Sequence, residues 1–98
     1  MAKVSHSAKA FTPKQGQYLA FIDAYARVHR QPPAEWEMQR HFGVSPPSVH
    51  QMVLTLERAG LISRHPGWPR SIEVLVPPEQ LPVLEIPNQS VKTSVSRY

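Results

Sequence analysis

The chain has 98 residues, a formal net charge of +4, a pI near 9.9 and no cysteine. That length fits one small domain with a thin core, disulfide and thiol chemistry are excluded, and the basic balance favours an anionic partner such as nucleic acid without requiring one. No stretch approaches the roughly 20 apolar residues of a membrane span, and Lys3 is not followed by the apolar run of a signal peptide, so a cytoplasmic, nucleoid-associated protein is expected.

Residues 1–10 show no periodicity and are expected to form a flexible arm. Thr12-Pro13-Lys14-Gln15 then reads as a helix start: Thr12 caps, Pro13 occupies the first helical position, and Gln15 can bond back to the cap. Phe11, just before the cap, can staple onto the first turns. The set Tyr18, Ile22, Tyr25, Ala26 and His29 marks one broad buried face. Gln31-Pro32-Pro33 ends the helix, because proline cannot continue the hydrogen-bond ladder and restricts the residue before it.

A short second helix is predicted over Ala34–Phe42, with Trp36, Met38 and Phe42 as its large apolar residues and Gly43 as its stop. The third helix runs from Pro46 to Ala59, with Ser45 as N-cap and Gly60 beyond the end. Val49, Met52, Val53 and Leu56 repeat at helical spacing and form its buried stripe, with Leu54 off it. Pro47, Ser48, His50, Gln51 and Thr55 make the opposite face. These small or uncharged polar groups suit an approach to base edges in a DNA major groove.

Two strands follow, Leu61–His65 and Arg70–Val76, around the turn Pro66-Gly67-Trp68-Pro69. Ile72, Val74 and Val76 alternate with Ser71, Glu73 and Leu75. At the turn, Trp68 reads as a wedge against DNA, a dimer contact or a packed turn aromatic, the last being the expectation. From Pro77 the chain is punctuated by prolines, and Leu81, Val83 and Leu84 can lay a short extended piece on the domain surface. Residues 77–98 thus form a Pro-rich extension, expected to be partly disordered. Three helices followed by a hairpin is the order of a winged helix-turn-helix, a mainly α fold with a small β wing over residues 11–76.

Phe11-Thr12-Pro13-Lys14-Gln15, Phe21-Ile22, Pro32-Pro33, Gln39-Arg40-His41-Phe42-Gly43 and Leu56-Glu57-Arg58-Ala59-Gly60-Leu61-Ile62 together resemble the N-terminal DNA-binding domain of LexA-type repressors. Ser45-Pro46-Pro47-Ser48-Val49 also looks like the third helix of metal-dependent and MarR-type winged-helix repressors. The first resemblance implies a small transcriptional regulator that places its third helix in the major groove and its wing on the backbone. It also implies that Ser45, Pro47, Ser48 and Gln51 occupy the base-reading end. LexA repressors carry a self-cleaving serine-lysine peptidase domain with no counterpart in these residues. Ala59-Gly60 reads as a helix stop, so self-cleavage is not expected.

On this reading Gln51 can pair with adenine through N6 and N7, and His50 reaches a base or a phosphate. Thr55 lies on the same face. Arg64, His65 and Arg70 flank the wing tip as candidate backbone contacts, and Lys14 and Arg40 are candidates near the first two helices. The absence of Lys and Arg between 45 and 57 predicts modest affinity unless the protein dimerises or the wing supplies the charge. Palindromic recognition would require a homodimer. The five histidines are scattered and no cofactor or metal site is expected. With no phosphate loop, nucleophile elbow or carboxylate pair, no catalytic residue or small-molecule substrate is expected. The competing class is a winged-helix protein-interaction adaptor, which would present apolar surface where a DNA binder gathers cations around Gln51. RNA binding is weaker still, for want of a stacking platform.

Overall fold

The computed structural model describes residues 10–86, so the expectations for residues 1–9 and 87–98 lie outside the described residues. Three helices, α1 (Pro13–His29), α2 (Glu35–Phe42) and α3 (Pro46–Arg58), precede a hairpin of β1 (Ile62–Ser63) and β2 (Glu73–Val74), and a 3-10 turn over Pro78–Gln80 follows. This is the winged helix-turn-helix order read from the sequence.

Local chemistry sets the helix ends. Thr12 Oγ1 accepts from the Gln15 N–H at 3.1 Å while Gln15 Oε1 accepts from the Thr12 N–H at 2.9 Å, which satisfies two otherwise free donors at the start of α1. Ser45 Oγ accepts from the Ser48 N–H at 3.3 Å, and Pro46 follows at the first position of α3. The α2–α3 turn closes through Gly43, whose φ of +65° is the left-handed conformation that suits glycine. α1 ends the same way at Arg30, φ +61°, before the prolines are reached.

The core lies where the three helices meet the hairpin. Leu19 and Ile22 of α1, Met38 of α2, and Val49, Val53 and Leu56 of α3 are buried against Leu61, Ile62, Ile72 and Val76. Each such aliphatic side chain contributes about 1.5–3 kcal/mol when withdrawn fully from water. Tyr18 and Phe42 stack with ring centroids 4.1 Å apart and tie α1 to α2. The buried face of α1 differs from the expected one. It runs through Gly16, Tyr18, Leu19, Ala20 and Ile22, whereas Tyr25 and Ala26 are half-buried and His29 is exposed. The last turns of the helix outrun the layer packed against it. Trp36 is likewise exposed, because α2 turns Met38 inward instead.

β1 and β2 are antiparallel, with Ile62 opposite Val74 and Ser63 opposite Glu73. The strands are shorter than expected because the tip closes through side chains. The His65 N–H donates to Ser71 Oγ at 2.8 Å instead of to a strand partner. Pro66 and Gly67, φ +88°, make a turn closed by the Trp68 N–H on the His65 carbonyl at 3.0 Å. Pro before a left-handed Gly is the signature of a type II turn. Trp68 is not a packed turn aromatic: it is 67% exposed and stacks on the His65 ring at 5.0 Å.

The chain then returns across α1. The side-chain amide of Gln17 donates to the Val83 carbonyl at 3.0 Å, and its oxygen accepts from the Glu85 N–H at 2.7 Å. One side chain thus pairs with the segment as a neighbouring strand would. Leu81 packs against the core, and Val83 points outward, 85% exposed. Nearby, His41 stacks on Phe21 at 4.5 Å, and burial lowers its pKa against a smaller opposing effect of the Glu85 backbone.

Candidate nucleic-acid interface

The outer face of α3 and the start of α1 together form an open depression of about 500 Å³. Pro47, Ser48, Gln51, Met52 and Thr55 line it from α3, and Thr12, Lys14 and Gln15 from α1. Five residues singled out from the sequence (Lys14, Pro47, Ser48, Gln51 and Thr55) therefore converge. Met52, read as part of the buried stripe, is half-buried and reaches this edge. Thr12 and Gln15 join them unexpectedly, since the sequence marked them only as a helix cap. The depression offers hydroxyls, the primary amides of Gln15 and Gln51 and one ammonium, and no carboxylate lines it.

Internal bonds direct several of these groups. Thr55 Oγ1 donates to the Gln51 carbonyl at 2.8 Å, which is ordinary back-bonding within a helix. Ser45 Oγ donates to Ser48 Oγ at 3.0 Å while capping α3. Ser45 thus shapes the helix start. No hydrogen bond engages the Gln51 side chain within the described residues, and its full donor and acceptor capacity faces outward.

The remaining candidates lie elsewhere. His50 Nδ1 sits 3.2 Å from both carboxylate oxygens of Glu35, joining the starts of α2 and α3. Arg40 is exposed on α2 beside Phe21, Tyr25 and Trp36, away from the Gln51 depression. Arg64 Nε donates to Glu57 Oε1 of α3 at 3.0 Å. Arg70 Nη1 donates to Glu37 Oε1 at 2.7 Å, to the Pro32 carbonyl at 3.1 Å and to the Tyr25 hydroxyl at 3.3 Å. Of the four cations expected on the Gln51 side, Lys14, Arg40, Arg64 and Arg70, only Lys14 lines the Gln51 depression.

Glu37 is the centre of the second cluster. Burial alone would raise its pKa, but hydrogen bonds from Arg70, Tyr25 and the Ala34 N–H outweigh it and hold the carboxyl at about 2. Arg70 is held charged by the same contacts. Between α2 and the hairpin lies a cleft of about 360 Å³ flanked by Trp36 and Trp68, with Arg64 and Glu35 in its lining. Sequence reasoning missed this cleft, because it read the two tryptophans separately, on different elements, and not as two sides of one site. No group of three or more His, Cys, Asp or Glu able to hold a metal ion occurs among the described residues. No described helix is long and apolar enough to cross a membrane.

Residues 8–71 match the family model of the LexA DNA binding domain. The chain is 33% identical over 75 residues, 76% of its length, to a LexA repressor of Thermosipho africanus. It is 37% identical over 79 residues, 78% of its length, to a LexA repressor of Pelotomaculum thermopropionicum. A LexA repressor of Thermotoga neapolitana is 33% identical over 66 residues. The chain spans only 38%, 39% and 34% of the lengths of these three relatives.

Proposed function

Because the chain belongs to the LexA DNA-binding domain family, we propose that it regulates transcription by sequence-specific binding to double-stranded DNA. Residues 11–76 are the reading unit, with the flanking segments as an arm and an extension. α3 enters the major groove with its N-terminal end leading. Ser48, Gln51 and Thr55 face the base edges, and the Gln51 carboxamide matches the N6–N7 pair of adenine. Lys14 takes a phosphate at the edge of the same depression. His50 and Arg40 serve the flanking backbone. Occupation of a palindromic site brings two copies of the chain together, one on each half-site.

The observation that carries this reading is the convergence of Lys14, Ser48, Gln51 and Thr55 in one depression that no carboxylate lines. Such a surface repels neither phosphates nor base edges. Selection of bound duplexes from a random DNA pool at near-physiological salt tests it. An enriched motif is the expected result, and half-sites about one helical turn apart identify a dimer. Failure to retain any duplex overturns the proposal.

A second reading has one observation in its favour. Trp36 and Trp68 are 53% and 67% exposed on the two sides of one cleft, as an adaptor surface would have them. If no duplex is retained, that cleft becomes the leading binding surface.

A further inference from the structure

We infer that Arg64 and Arg70 are positioning residues that brace the hairpin, and that the wing meets DNA through Trp68 stacked on His65 and not through arginine–phosphate pairs. The inference rests on the DNA-binding reading above and concerns how the wing takes part in it.

Each leg of the hairpin is tied to the helices by one arginine. Arg64 on the outgoing leg pairs with Glu57 of α3, its side chain only 20% exposed. Arg70 on the return leg pairs with Glu37 of α2, whose side chain is 14% exposed. Glu37 is in turn fixed by the Tyr25 hydroxyl of α1 and by the Ala34 N–H. Arg70 also holds the Pro32 carbonyl, so one guanidinium joins the hairpin to α1, to the α1–α2 turn and to α2. Turning it out to a phosphate would strand a half-buried carboxylate, which is costly because the partner's charge stays behind.

With both arginines engaged, the tip Pro66-Gly67-Trp68-Pro69 carries no cation of its own. It is nevertheless rigid. Ser71 Oγ bonds to the backbone of both His65 and Trp68, and the His65 ring supports one face of the indole at 5.0 Å. A fixed aromatic plane that is two-thirds exposed can lie against deoxyribose and base edges without any ion pairing.

The test is the affinity and its salt dependence for a labelled duplex carrying the motif enriched in the selection. The variants are Glu37→Gln, Arg70→Gln, Trp68→Ala and Trp68→Phe, each checked for folding by thermal melting. Simple electrostatics predicts that Glu37→Gln, which removes a negative charge, tightens binding. Bracing predicts that Glu37→Gln and Arg70→Gln both weaken it, by about three- to tenfold, with the salt slope unchanged. Trp68→Ala should weaken it similarly, Trp68→Phe should restore most of the loss, and Arg70→Gln should add little to Trp68→Ala. A salt slope lowered by about 1 in Arg70→Gln, with Glu37→Gln binding as well as the parent or better, makes Arg70 a phosphate contact and overturns the proposal. Unchanged affinity in Trp68→Ala overturns it as well. A parent chain that retains no duplex at all overturns the DNA reading itself, a result distinct from either.

Discussion

The Tyr25 hydroxyl donates to Glu37 Oε2 across 2.5 Å, while the other oxygen of the same carboxylate accepts from Arg70 and from the Ala34 N–H. Three donors on one carboxylate hold its pKa at about 2, below the usual glutamate value of roughly 4.3. Folding therefore favours the ionised form. The resulting stabilisation is complete above about pH 5 and is lost as the pH falls toward 2. Thermal melts should show Tm dropping through that window. In Glu37→Gln the acid limb should flatten, and Tm at pH 7 should fall by about 5–10 °C. A parallel acid limb in the variant would mean that other carboxylates control acid unfolding.

Gly16 is a second point of control. A Cβ there would lie 2.9 Å from Phe11 Cε1 and 3.1 Å from Pro82 Cγ. Inside a helix, Gly→Ala ordinarily gains about 1 kcal/mol. Here the added methyl must push the Phe11 ring aside and press on the returning segment, so Gly16→Ala should yield no gain. Gly16→Val should cost about 1–3 kcal/mol as an overpacked site and loosen residues 81–86. Urea titration of both variants, with limited proteolysis of that segment, measures this. A full gain in Gly16→Ala would show that the return segment packs less closely than described.

Arg30 and Gly43 end their helices in the same left-handed conformation, at φ +61° and +65°. Only one of them is a glycine. Arg30→Gly should remove the Cβ strain and raise stability by about 0.5–1 kcal/mol. Gly43→Ala should introduce that strain and cost about 1 kcal/mol, although nothing lies within 4 Å of the new methyl. Opposite signs in chemical denaturation are the expected result. Equal signs would point to side-chain contacts as the cause, since the backbone argument is the same at both sites.

Gln51 and Lys14 should fail in different ways. Gln51→Ala should lose about 1–3 kcal/mol of discrimination at one base pair and leave the salt dependence intact. Lys14→Ala should weaken binding across sequences and lower the salt slope by about 1. Titrations of the selected duplex and a scrambled one, at several salt concentrations, separate the two effects. Reversed behaviour would move the base-reading role from α3 to the start of α1.

What could be read from the sequence was mostly local. The Thr12–Gln15 and Ser45–Ser48 caps each span three residues, so their partners lie within the motif that announces them. The alternation of Ile72, Val74 and Val76 gave the inner side of the return strand correctly, with Leu75 half exposed on the other side. The partner of Arg70 was invisible because it is distant, Glu37 lying 33 residues away, and that of Arg64, seven residues back at Glu57, was hidden because the pair joins two different elements, the hairpin and α3. A cation beside a proline-glycine turn looks the same whether it grips a phosphate or a carboxylate elsewhere in the fold. The buried face of α1 was misphased for a related reason. Gly16 and Ala20 carry little apolar signal, yet both are buried, Gly16 against Phe11 and Pro82. His29, counted among the inward residues, instead lies tilted against the Tyr25 ring, centroids 4.1 Å apart, at the exposed end of the helix.

Both tryptophans of the chain flank the wing cleft, and neither belongs to the core. Both are more than half exposed in the folded protein, so their emission wavelength should shift less on unfolding than that of a buried indole. A ligand settling on the wing or in the cleft should quench or shift it directly. The protein thus carries an intrinsic optical reporter placed at the wing and not in the core, the reverse of the usual arrangement in which a buried indole reports folding.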